Sequence, residues 1–206
     1  MAKSIGSVLA DSNLLQGSTI TSALAFRPGH SPRIRDHVFR TWEYVGEKRR
    51  AQIREVLKGD KPWPLVLLGP AGTGKTCAAL AVTDGVLCAR IYCAVQELVD
   101  GLVVMQQERG GFMWFRNDFD FWREWDQAAL TVLDELGTRQ ASDFHYATAK
   151  RAIDRREGKP SIVISNSPLA DLATLYDERI ASRLSAGTVL EFSGEDLRLA
   201  GKESMK

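Results

Sequence analysis

Unbroken apolar runs and stretches of helical periodicity alternate along the chain. Leu65-Val66-Leu67-Leu68 is the first run. Four apolar residues without a polar break predict a strand covered on both faces. Arg90 to Val95, Ala129 to Leu133, Ser161 to Ser165 and Thr188 to Phe192 predict four further strands. Between them the pattern predicts helices at Thr76 to Val86, Val95 to Glu108 and Asp143 to Arg156, and one or two helices in Leu169 to Leu184. The aromatic stretch from Phe112 to Trp125 predicts helix in part. Upstream, Ile34, Val38, Trp42, Val45, Ile53, Val56 and Leu57 fall largely at helical spacing. They predict one long helix from Arg33 to Lys58, ended by Gly59-Asp60-Lys61-Pro62. Strands alternating with helices imply an α/β fold: a five-stranded parallel sheet with helices on both faces.

Composition narrows the class without changing this picture. Residues 1–25 are rich in Ser, Thr and small apolar residues and read as a short N-terminal arm, partner-binding or disordered; residues 26–206 form one domain. Hydrophobic residues make up 44% and charged residues 26%, an ordinary globular balance. No apolar run approaches the roughly 18–20 residues that span a bilayer, and Met1 to Ala10 lacks the apolar centre of a signal peptide. Cys77, Cys88 and Cys93 are an odd set without metal-like spacing, which predicts a reducing cytoplasm. His30, His37 and His145 are scattered, with no zinc-site pattern. The net charge of +1 provides no global field for nucleic acid. The charge is unevenly spread: Arg27 to Lys61 holds ten Lys or Arg against five acids, and Val95 to Gln127 three Arg against seven acids. The basic segment is either a surface for DNA or an acidic partner, or a solvated helix face.

The candidate chemistry begins where the first strand ends. Gly69-Pro70-Ala71-Gly72-Thr73-Gly74-Lys75-Thr76 satisfies G-x-x-x-x-G-K-[ST] between a buried strand and a helix. Glycines let backbone N–H groups approach phosphate oxygens, and the following helix points its positive end at the same anion. Lys75 is expected to reach the β- and γ-phosphates of ATP, and the Thr76 hydroxyl to ligate Mg²⁺. Leu130-Thr131-Val132-Leu133-Asp134-Glu135 is an apolar strand ending in two carboxylates. Asp134 suits the Mg²⁺ shell, and Glu135 suits activation of an attacking water. The fourth strand delivers Asn166 to the same end of the sheet, for the γ-phosphate or the water, or else as a cap on the Pro168 turn.

The motifs GPAGTGKT, TVLDELG and IVISNSP, followed by DERIASRLSAGTVLEFSGEDLR, resemble the DnaC/IstB group of AAA+ ATPases from about Phe26 to Lys202. That group contains bacterial and phage replicative helicase loaders and ATPase helpers of transposons. The resemblance implies an AAA+ P-loop domain without a C-terminal lid subdomain, Mg-dependent ATP hydrolysis, and self-association in a ring or filament. It implies that Arg183 is an arginine finger entering a neighbouring subunit's site, completing it. Arg179, one helical turn earlier, is a possible second interface arginine. Arg198 matches a position that senses bound nucleotide, and Arg156 a family arginine before the fourth strand. A surface salt bridge is the alternative for each.

Two departures from the family pattern bear on partners. Only about 25 residues precede the core, where helicase loaders carry a sizeable helicase-gripping region. The family's DNA-contacting helical insert corresponds to about Val95 to Gln127, which is net acidic here. Its Trp114, Phe115, Phe119 and Trp122 could stack on bases and Arg109, Arg116 and Arg123 could meet phosphates; aromatics at helical spacing also suit a core. The leading expectation is an ATPase that loads or remodels a replicative helicase on DNA, with the helicase and single-stranded DNA as partners. A transposase's helper is the alternative within the family. A small-molecule P-loop kinase is disfavoured by Glu135 and Arg183, and an ATP-binding adaptor by intact Lys75, Asp134 and Glu135.

Overall fold

The computed structural model describes residues 45–84, 90–107, 110–111, 115–138 and 142–197. The elements are α1 (Glu47–Lys58), β1 (Leu65–Leu68), α2 (Lys75–Asp84), β2 (Arg90–Ala94), α3 (Val95–Gln106), α4 (Asp118–Gln127), β3 (Leu130–Leu136), α5 (Asp143–Asp154), β4 (Ser161–Ser165), α6 (Leu169–Leu175), α7 (Glu178–Ser185) and β5 (Thr188–Glu191). The five strands pair in parallel in the order β2-β3-β4-β1-β5. β1 and β4 are buried along their whole length, as unbroken apolar runs require.

Side-chain alternation along the strands splits the core in two. Leu65, Leu67, Val132, Ile162 and Ile164 face Ile53 and Val56 of α1 and Ala78, Ala79 and Val82 of α2. Val66, Leu68, Leu133 and Val163 face α3, α4, α5, α6 and α7. The aromatic stretch anchors the second layer. The Trp125 indole N–H donates to Ala152 O at 3.0 Å, Phe121 stacks on Trp125 at 5.7 Å, and the Arg151 guanidinium lies 4.4 Å from the Trp122 ring centre.

Local signals set the helix ends. Asn117, Ser142 and Asp177 accept backbone N–H groups at the starts of α4, α5 and α7. Asp177 divides the expected Leu169–Leu184 stretch into α6 and α7. The expected continuous helix from Arg33 to Lys58 is corrected: Gly46 is extended (ψ 147°) and α1 starts after it, at Glu47. Glycine is a poor helix former, and Val45 is drawn into the α1–α2 core instead. β3 runs past the expected Leu133 to Leu136, through an irregularity that matters for the site. The N-terminal arm lies outside the described residues. No described helix is long and apolar enough to cross a membrane.

Candidate nucleotide site

The sheet order brings three expected groups to one edge. β4 lies between β1 and β3, so Asn166 emerges between the phosphate loop and the Asp134–Glu135 pair. The Gly69 amide donates to Ser165 O at 3.2 Å, tying the loop's first residue to the end of β4. Ligands of open α/β sheets collect at such carboxyl ends.

The loop's glycines are required by its geometry. Gly69 (φ 138°) sits so close to β5 that a Cβ would lie 1.9 Å from Phe192 O. At Gly72 (φ 78°) a Cβ would lie 2.0 Å from the Asp196 carboxylate. The Leu197 amide donates to Gly72 O at 3.0 Å, so the segment after β5 lies against the loop. Lys75 is 5% exposed, and its ammonium donates to Gly69 O at 2.6 Å and Pro70 O at 2.7 Å. The Thr73 hydroxyl closes the loop on Pro70 O at 2.8 Å.

Asp134 is the hub of the site. Its Oδ2 accepts the Thr76 hydroxyl at 2.9 Å and the Tyr92 hydroxyl at 2.6 Å; its Oδ1 accepts the Glu135 amide at 2.7 Å. Burial and the neighbouring Asp134 charge push the Tyr92 phenol far above its usual range, so it remains a donor. Between Leu133, opposite Val163, and Leu136, opposite Ser165, β3 carries one residue more than β4. This bulge turns Glu135 to the left-handed conformation (φ 60°) with an exposed side chain, while Asp134 stays buried. A non-glycine residue held there is strained.

The donor set fits Mg-ATP. The Thr76 hydroxyl and a single carboxylate are what a phosphate-bound Mg²⁺ ordinarily takes from protein, the remaining ligands being phosphate oxygens and water. Among the described residues, no cluster of three or more His, Cys, Asp or Glu side chains could hold a metal. Cys93 is buried and its thiol pushed well above the usual range by desolvation.

The expected arginines separate. Arg183 lies away from the loop, with its guanidinium 2.7 Å from Asp154 Oδ1 and 3.5 Å from Glu157 Oε2. It lines a cavity of about 290 Å³ with Trp63, Thr131 and Ser161, at the amino ends of the strands. It therefore cannot complete the site of its own chain. Arg179 is exposed on the preceding turn of α7. Arg156 is neither exposed nor in a salt bridge. It is 3% exposed and donates to Trp125 O, Asp126 O and Pro160 O at 3.0, 3.2 and 2.7 Å, a staple between α4 and β4. Burial lowers its pKa to about 10, against the opposing charge of Asp126. Arg198, Arg109 and Trp114 lie outside the described residues.

The stacking expectation for the aromatic stretch is corrected for two residues. Phe115 and Trp122 are core, at 4% and 2% exposure, while Phe119 is 71% exposed. Arg116 is exposed, but Arg123 pairs with Asp120 at 3.2 Å and Glu124 at 3.8 Å. With Asp118 and Asp126 also on α4, this helix offers phosphates a net negative surface.

Sequence reasoning missed Tyr92 and Asp196. Tyr92 was legible only through strand register: Ala94 pairs with Asp134, and Tyr92, two residues earlier, shares its face. Asp196 reaches the loop through a contact that no local pattern encodes.

No protein-family model matches the chain, and no curated protein does. Solved structures do. The chain resembles DnaI (TM-score 0.54, 20% identity, covering 91% of this chain and 93% of that one) and the DnaC helicase loader (0.54, 23%, 63% and 77%). It also resembles AMPPCP-bound DnaA from Aquifex aeolicus (0.61, 20%, 78% and 52%). The chain spans about half the length of the replication initiation factors it matches. At these identities the likeness is one of fold: the parallel α/β domain of this chain is the one seen in the DnaC, DnaI and DnaA structures.

Proposed function

We propose that this chain binds and hydrolyses Mg-ATP, and uses that cycle to load or remodel a replicative helicase on DNA. The observation that carries the ATPase reading is the junction of Thr76 with Asp134, beside a Glu135 turned outward by a strained bulge. Backbone N–H groups of 69–76 would cradle the phosphates, and Lys75 would leave its loop carbonyls for the γ-phosphate. Thr76 and Asp134 would hold Mg²⁺, which when bound would supply positive charge to the phosphate oxygens. Glu135 would take a proton from the attacking water, oriented with Asn166. Arg198 is assigned to nucleotide sensing.

Arg183 supports a shared site. Its distance from its own loop and its position on a partly exposed helix suit a guanidinium given to a second copy's phosphates, with Arg179 beside it. Self-association in a ring or filament follows. The replication reading is supported by the fold shared with structures named as helicase loaders and replication initiators. For single-stranded DNA, the acidic α4 favours a contact elsewhere, the basic segment Arg27 to Lys61 being the best placed by charge.

Mixing inactive Lys75→Ala and Arg183→Ala subunits tests the shared site: one intact composite site per pair should restore part of the ATPase rate. Failure to complement at every ratio would rule out action in trans. Recovery of a hexameric helicase by a Glu135→Gln variant held with ATP tests the partner; recovery of a transposase instead would overturn the helicase assignment.

A further inference from the structure

The Asp134 carboxylate has a donor that the nucleotide-site motifs do not include. Tyr92 sits on β2, an edge strand of the sheet, and reaches across to Asp134 Oδ2 at 2.6 Å. Thr76 donates to the same oxygen at 2.9 Å. With Mg-ATP bound, both hydrogen bonds would persist: the Thr76 hydroxyl would give the metal an oxygen lone pair and still donate its O–H to Asp134. Thr76 would then be shared between the metal and Asp134, whereas Tyr92 anchors Asp134 from the sheet. Its ring is packed against the α1–α2 core layer, which fixes where the hydroxyl points.

We propose that Tyr92 is a positioning residue for Mg²⁺: together with Thr76 it holds the Asp134 carboxylate in the orientation that the metal shell would use. This inference rests on the ATPase reading above. A carboxylate held by a fixed donor loses less rotational freedom when the metal shell forms, which is how outer partners of a metal site raise affinity. The Glu135 amide fixes Oδ1 from the other side at 2.7 Å. With both oxygens restrained, Asp134 offers the metal shell a preset direction rather than a freely rotating group. A phenylalanine at the same place would keep the ring packing and lose the hydroxyl.

The test compares the unaltered chain with Tyr92→Phe, using a fluorescent ATP analogue titrated first in EDTA and then at stepped Mg²⁺ concentrations. Thermal melting of both proteins checks the fold. The expected result is equal affinity in EDTA and about a tenfold higher Mg²⁺ concentration for half-maximal enhancement in the variant. A purely structural role would move both arms together, and that result would overturn the proposal. Superimposable Mg²⁺ curves would overturn it while leaving the ATPase reading intact. If the unaltered chain binds the analogue in neither arm, the ATPase reading falls and the proposal with it. If Tyr92→Phe melts early, both proteins are titrated at a temperature well below its transition, and superimposable Mg²⁺ curves there would again overturn the proposal.

Discussion

Arg183 is held on its own protomer by Asp154, guanidinium nitrogen to carboxylate oxygen at 2.7 Å, with Glu157 as a looser second partner at 3.5 Å. The guanidinium is about one-third exposed, so the pair contributes under about 1 kcal/mol to stability. Its chemistry can therefore be separated from its structural role. Arg183→Ala is expected to melt within a few degrees of the unaltered chain and to bind ATP normally, while turnover falls about a thousandfold. Melting, analogue binding and phosphate release measured on one preparation check all three. A loss of binding equal to the loss of turnover would place Arg183 outside the transfer step.

Glu135 gives a test in which stability and activity move in opposite directions. Glycine occupies φ 60° without the Cβ clash that a glutamate carries there, a difference of about 1 kcal/mol. Glu135→Gly should raise the melting temperature by about 2–4 °C and lower turnover by about two to four orders of magnitude. Glu135→Gln should lose turnover without the gain in stability, which separates the backbone effect from the side chain's chemistry.

Gly72→Ala should weaken ATP binding by about tenfold or more. The left-handed conformation alone costs a residue with a Cβ about 1–2 kcal/mol, and here the Cβ would also meet Asp196. Removing the carboxylate in Gly72→Ala/Asp196→Ala should recover part of the loss, because only the clash is relieved. Titration of the two variants and of Asp196→Ala closes the cycle; strict additivity would mean that the two residues do not interact.

Asp177 provides a pH signature. The Tyr146 hydroxyl and then the Ile180 amide hold its carboxyl below the usual carboxylate range. A depressed folded pKa contributes stability that is fully present above the unfolded value and is lost as pH falls through the folded value. Asp177→Ala should therefore melt below the unaltered chain at pH 7, and the gap should close below about pH 4. Melting curves from pH 3 to 7 check the sign.

The parts of this molecule that sequence could reveal are those set by neighbours in the chain. Leu65–Leu68 and Ile162–Ile164 are unbroken apolar runs because both faces are covered, and the phosphate loop follows the first of them directly. What stayed hidden depends on register or on long-range contact. Asp134 and Tyr92 meet only because β2 pairs with β3 in one particular alignment. The extra residue that turns Glu135 outward is a mismatch between two strands, invisible in either alone. The sequence leaves Trp122 open between base stacking and the core; its burial, with Arg151 of α5 over its ring, comes from the packing of α5 on α4.

The stretch after β5 is moored at one end to the last residue of β1 and at the other to the phosphate loop. The Phe192 amide donates to Leu68 O at 2.6 Å, and the Leu197 amide to Gly72 O at 3.0 Å. Phe192 O lies where any side chain on Gly69 would have to go. A tether this short makes those six residues and the loop they touch a single mechanical piece. A displacement of one would carry to the other, and a ligand that stiffened the loop would stiffen the tether in return.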